Sequence, residues 1–105
     1  MKVFLKKFKG TVSAEGEYNE KDNSLVVRAG AILSKDVARS EKFRGTKSIE
    51  AKRASVSIKN GVLMEDVAFR SPSTAGNFVT GRSTDGLTAW KDENGKPLKI
   101  YRSEV

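Results

Sequence analysis

The sequence predicts an α+β fold: a small antiparallel sheet with one or two short helices packed on one face and a C-terminal β-hairpin. Three observations lead there. Short runs of branched and apolar residues fill the first third of the chain, separated by polar turns. The segment from Ser71 to Gly81 has a complete set of helix start and stop signals. Asn-Gly pairs stand at Asn60-Gly61 and Asn94-Gly95, where hairpins reverse. With 105 residues the chain is bounded to one domain over 1–105, and Arg102 to Val105 are expected to fray.

The elements follow in order. Val3, Leu5 and Phe8 lie among lysines with Phe4 on the other parity, so residues 2 to 8 predict an edge strand with a charged outer face. Gly10 breaks it, and Thr11 to Tyr18 alternates loosely as a second strand. Asn19 to Asn23 is a turn by composition. Ser24 to Leu33 (SLVVRAGAIL) is the strongest strand candidate, with Gly30 marking a bulge or bend. Ser34 to Lys47 has no sustained period and reads as a loop or a short helical turn. Residues 46 to 59 leave two readings open. Thr46 or Ser48 would cap a helix with Ile49, Arg53, Val56 and Lys59 at helical spacing, yet Ala54, Val56 and Ile58 alternate like a strand before Asn60-Gly61. Val62, Leu63, Val67 and Phe69 read as core under either.

Ser71 and Pro72 open the clearest helix, a capping hydroxyl followed by a residue whose missing N–H costs nothing at the first helical position. Ala75, Phe78 and Val79 give it one apolar face, and Gly81 ends it in the left-handed conformation. Gly86 to Lys91 and Lys96 to Tyr101 then flank Asp92-Glu93-Asn94-Gly95 as the arms of the C-terminal hairpin.

Composition narrows function before any motif does. There is no cysteine and no histidine, which removes disulfides, thiolate nucleophiles, imidazole bases, Ser-His-Asp triads and the usual zinc ligands. No phosphate loop, dinucleotide fingerprint or metal cluster is present. No enzymatic activity, cofactor or metal is expected. No apolar run reaches the length of a membrane span or a secretory signal, so no membrane partner and a cytoplasmic location are expected. Twenty Lys plus Arg against 13 Asp plus Glu give a formal net charge of +7. The surplus is uneven, with four lysines and no acid in Met1 to Lys9, and eight basic residues against three acids from Lys35 to Lys59. Clustered cations bind phosphates by releasing condensed counterions, whereas scattered ones only keep a small domain soluble.

Phe69 to Leu98 (FRSPSTAGNFVTGRSTDGLTAWKDENGKPL) is more particular than a generic helix and hairpin. It resembles the domain of unknown function 4357 family, in which a Ser-Pro-Ser helix start leads into Gly-Arg-Ser, a Gly turn, and Trp-Lys before an acidic turn. The matching positions are Ser71, Pro72, Ser73, Ala75, Gly81, Arg82, Ser83, Gly86, Trp90, Lys91, Gly95 and Leu98. Leu25 to Lys35 resembles the family's strand followed by Gly-Ser-Lys, with Ala31 where Ser is usual. Asp85-Gly86-Leu87 stands where the family usually has Asn-Gly and an aromatic. Such modules accompany GIY-YIG-type nucleases or restriction-modification proteins, and are similar to the RAMA domain, which is associated with recognition of modified DNA. The resemblance implies a helix from about Ser48 to Lys59. It also implies a non-catalytic accessory domain that binds DNA, modified DNA included, with a nuclease or methyltransferase on another chain as partner.

On this reading Lys52, Arg53, Arg82 and Lys91 supply charge to a nucleic acid, and Ser71, Ser73 and Ser83 offer hydroxyls at the two ends of the Ser-Pro helix. Trp90, the only tryptophan, stacks on a base or, as large aromatics in small cores more often do, anchors the hairpin against Phe78. The same features allow a different class of function: a protein-interaction module that docks a partner enzyme through the sheet edge or the loop from Ser34 to Lys47, with no nucleic-acid contact.

Overall fold

The computed structural model describes residues 1–38 and 45–101. The middle of the Ser34–Lys47 loop and the expected fraying at 102–105 lie outside the described residues. What is described is α+β, as the sequence predicts.

Strands β1 (Lys2–Lys7), β2 (Val12–Asn19) and β3 (Ser24–Val27) form an antiparallel meander, and β6 (Val67–Phe69) joins on the far side of β3. Period-two alternation decides the buried face. Val3, Leu5, Val12, Ala14, Tyr18, Leu25, Val27, Val67 and Phe69 turn inward, while Lys2, Glu15 and Glu17 face water with Lys2 directly opposite Glu17.

The run from Ser24 to Leu33 is one strand with an interruption. Gly16 faces Val27, yet Ser13 faces Ile32, so three steps along β2 are matched by five on its partner. The extra length is a bulge around Gly30. Asp66 fills it, accepting from the Ala29 N–H at 2.8 Å and from Arg28 at 3.1 Å. Beyond the bulge Ile32 bridges both Ser13 and Val62, which ties the small β4 (Ile58–Lys59) and β5 (Val62–Leu63) ribbon to the main sheet.

Residues 46 to 59 divide between the two open readings. Helix α1 spans Thr46–Ser55, and Val56 breaks into the extended region so that β4 can pair across Asn60-Gly61. A helix running to Lys59, which the family resemblance favours, is therefore cut short by the hairpin. Val62, expected in the core, is half-buried.

Helix α2 (Pro72–Thr80) matches its signals at both ends. The Ser71 hydroxyl accepts from the Thr74 N–H at 3.2 Å, and Gly81 closes the helix at φ 74°. Ala75, Phe78 and Val79 bury against β2, β3 and β6.

The C-terminal reversal is narrower than a two-stranded ribbon. Lys91 bridges Pro97 around a turn whose Asp92 and Lys96 are bonded through their backbones at 2.8 Å. Its arms are a short helix α3 (Gly86–Ala89) and a 3-10 turn over Leu98–Tyr101. Asp85 is the reason for the first, since its carboxylate caps the Leu87 N–H at 3.1 Å. Gly86 crosses the start of α2 so closely that a Cβ there would lie 2.2 Å from the Pro72 carbonyl carbon, a contact between backbones that neither side can relax.

Candidate functional site

The residues singled out in the sequence fall into an interior set and a surface set. Trp90 is 0% exposed, and its indole N–H donates to the Pro72 carbonyl at 3.0 Å. The ring lies in a slot made by glycines: a Cβ at Gly16 or Gly76 would come within 3.3 or 3.6 Å of it. No face is open to a base, so the stacking assignment gives way to the core role. Arg53 is half-buried and has structural partners of its own. Its guanidinium donates to Phe78 O (2.7 Å), Ser34 O (2.8 Å) and Ser34 Oγ (3.0 Å), and packs on the Phe78 ring. Those carbonyls include the unpaired end of α2, so Arg53 caps that helix and ties it to the chain at Ser34. Burial lowers the basicity of this guanidinium.

Ser71 and Ser73 also have internal work. Ser71 caps α2, and the Ser73 hydroxyl accepts from the Gly86 N–H at 3.0 Å, joining α3 to α2. Lys52 lies over the Phe69 ring at 5.6 Å, at the mouth of a cleft between α1 and α2 that Arg70, Thr74 and Asn77 also line. Phe69 and Phe78, with ring centroids 5.0 Å apart, floor this cleft and are themselves buried. Lys91 is exposed, but its backbone pairs with Phe4 in both directions, at 2.7 and 2.9 Å. That pairing closes the outer edge of β1 at its middle. These residues do not form one patch: Ser71 and Ser73 are separated from Arg82 and Ser83 by the length of α2, about 13 Å at the usual helical rise.

The surface set gathers at the other end of that helix. Arg82 and Ser83 are exposed just past Gly81. The Arg82 guanidinium stacks on Phe8, 4.9 Å from the ring centroid. Thr80 and Thr84 brace the loop behind it, their hydroxyls 2.7 Å apart and both bonded to the Arg82 carbonyl at 3.1 Å. Two grooves adjoin the pair. One, of about 190 Å³, is lined by Phe8, Lys35, Asp36 and Arg82; the other, of about 310 Å³, by Lys7, Phe8, Arg82, Ser83 and Asp85. Lys9, next to Phe8 in sequence, is exposed. Among the described residues, Glu17 pairs with the N-terminus at 3.2 Å and Asp66 with Arg28 at 3.1 Å, both away from Arg82.

Phe8 is the member of this surface that sequence patterning places wrongly. Read as the end of the edge strand, it instead leaves β1 with φ 53°, followed by Lys9 at φ 56° and Gly10 at φ 85°. Bulky residues avoid this left-handed region, at a cost of order 1–3 kcal/mol each. The Thr11 N–H and hydroxyl hold the turn, donating to Phe8 O at 3.1 and 2.8 Å. The only signal in the sequence is an aromatic amid lysines in Lys6-Lys7-Phe8-Lys9-Gly10.

No helix among the described residues is long and apolar enough to cross a membrane. No curated protein and no solved structure matches the chain. One family model does, and it spans residues 4–102, taking in β1 from Phe4 onward, the Phe8 turn and the Ser-Pro helix with its Gly-Arg-Ser exit. The chain belongs to the family described as domain of unknown function (DUF4357).

Proposed function

We propose that this chain is a non-catalytic accessory module that binds DNA through the basic surface around Arg82. The observation that supports it most is the placement of Arg82: exposed at the end of a buried helix, stacked on an aromatic ring, and sharing its grooves with Lys7 and Lys35. A phosphate backbone gains affinity from each cation that displaces a condensed counterion, and a net charge of +7 steers a polyanion toward the surface. Asp36 and Asp85 lie in the same grooves, so attachment rests on the local excess of cations rather than on their total. Asp85, the acid that departs from the family pattern, accepts from the Leu87 N–H and serves α3. A nuclease or restriction-modification setting, a nuclease or methyltransferase on another chain, and a modified base as target belong to this proposal through the family resemblance. The other reading is docking of a partner enzyme through the sheet edge or the loop from Ser34 to Lys47; of these, the β1 edge is already paired at Phe4 by Lys91.

Fluorescence anisotropy with labelled duplex and single-stranded DNA tests the reading. Three or four phosphate contacts predict affinity falling roughly 20- to 150-fold between about 50 and 200 mM salt. Arg82→Ala weakens binding and reduces the slope of log affinity on log salt by about one unit. No binding to either DNA at the lower salt overturns it.

A further inference from the structure

We infer that the DNA held at this surface is single-stranded or locally unpaired, with the Phe8 ring as the platform on which an unpaired base stacks. This rests on the DNA-binding reading above and names the kind of DNA that the same site takes. The first support is the exposure of the ring. Phe8 is 42% exposed, whereas Phe4 is half-buried and Phe69 and Phe78 are buried. The second is the backbone that produces the exposure. Phe8 and Lys9 both take positive φ, in a turn fixed by Thr11, and an asparagine or glycine would adopt it with less strain. The chain thus forgoes both an easy turn residue and the burial of a large ring to hold an aromatic in water at this point.

The third support is the cation. With the Arg82 guanidinium 4.9 Å from its centroid, the pair offers a base a π-surface and offers the adjoining phosphate a charge. Lys7 and Lys9 on either side in sequence extend the positive track along the strand that would carry that base. In an intact duplex the faces of the bases are stacked on one another, and sequence is read at their edges by polar side chains. A phenyl ring offers those edges no hydrogen bond, only apolar contact with a thymine methyl, whereas a single strand exposes the faces on which the ring can stack.

The test compares the full chain with Phe8→Ala and Phe8→Asn, on an oligothymidine of about 16 nucleotides and on a duplex of mixed sequence. Phe8→Asn is the informative variant, because asparagine tolerates the left-handed backbone and keeps the turn while removing the ring. The wild-type chain is expected to bind the single strand more tightly than the duplex at equal salt. Both variants are expected to weaken single-strand binding about tenfold to a hundredfold with duplex binding nearly unchanged, and Phe8→Trp to retain it. Duplex binding equal to or tighter than single-strand binding, or full single-strand affinity in a folded Phe8→Asn, overturns this inference and leaves the DNA-binding reading standing. No binding of either DNA overturns both.

Discussion

Arg53 and Arg82 are alike as letters and opposite in what they do. Arg53 points inward and holds the C-terminal carbonyls of α2 with a planar fork of donors. Arg82, just past that helix, points into water over an aromatic ring. The difference is one of supply: a helix end leaves carbonyls that something must satisfy, and α1 passes close enough for Arg53 to reach them. Lysine offers a single ammonium in place of the fork. Arg53→Lys is therefore expected to cost about 2 kcal/mol in urea denaturation, as hydrogen bonds from a charged donor are lost. Arg82→Lys is expected to stay within about 0.5 kcal/mol of the parent. Equal effects of the two changes would contradict the assignment of one to the fold and the other to the surface.

At the scale of elements, what was legible in the sequence followed from local rules. Ser71, Pro72 and Gly81 bound α2 because capping and left-handed termination are decided within a few residues. The meander of β1, β2 and β3 likewise follows from alternation and a polar turn. The misplaced elements are those where local signals compete or distant contacts intervene. Helix α1 stops at Ser55 because the Asn60-Gly61 turn pairs β4 with β5, and α3, capped by Asp85, is held where Gly86 fits against the Pro72 backbone. Trp90, buried, and Arg53, half-buried, take structural roles through contacts distant in sequence, since their partners Pro72 and Phe78 are set by packing. Phe8 was illegible because a left-handed phenylalanine runs against its own backbone preference.

The loop from Asp92 to Tyr101 shows how one carboxylate organises a reversal. Asp92 accepts from the Tyr101 hydroxyl at 2.7 Å and from the Lys96 and Asn94 N–H groups at 2.9 Å each. These bonds, the tyrosine's foremost, hold its carboxyl below the usual range. A depressed acid contributes stability that is fully present above the unfolded value, near 3.9, and is lost as pH falls through the folded value. Acid denaturation is thus expected to include a limb below about pH 4 that Asp92→Asn flattens, followed by the near-ultraviolet signal of Trp90. An unchanged acid limb in Asp92→Asn would show that the carboxylate does not support the turn.

The whole molecule carries a net charge of +7 with no histidine and no cysteine, so its charge barely changes across neutral pH, and the function proposed for it is one of attachment. Acids are not absent from the surface, but Glu17 and Asp66 are engaged elsewhere, with the N-terminus and with Arg28. Around Phe8 and Arg82 the cations face grooves instead. The most direct measurement is amide chemical-shift mapping of the full chain during titration with a short single-stranded DNA. Shifts are predicted to cluster at Lys7 to Thr11 and Arg82 to Asp85, with Trp90 and its indole unmoved. Shifts centred instead on the cleft of Lys52 and Thr74, or none at saturating DNA and low salt, would contradict the account.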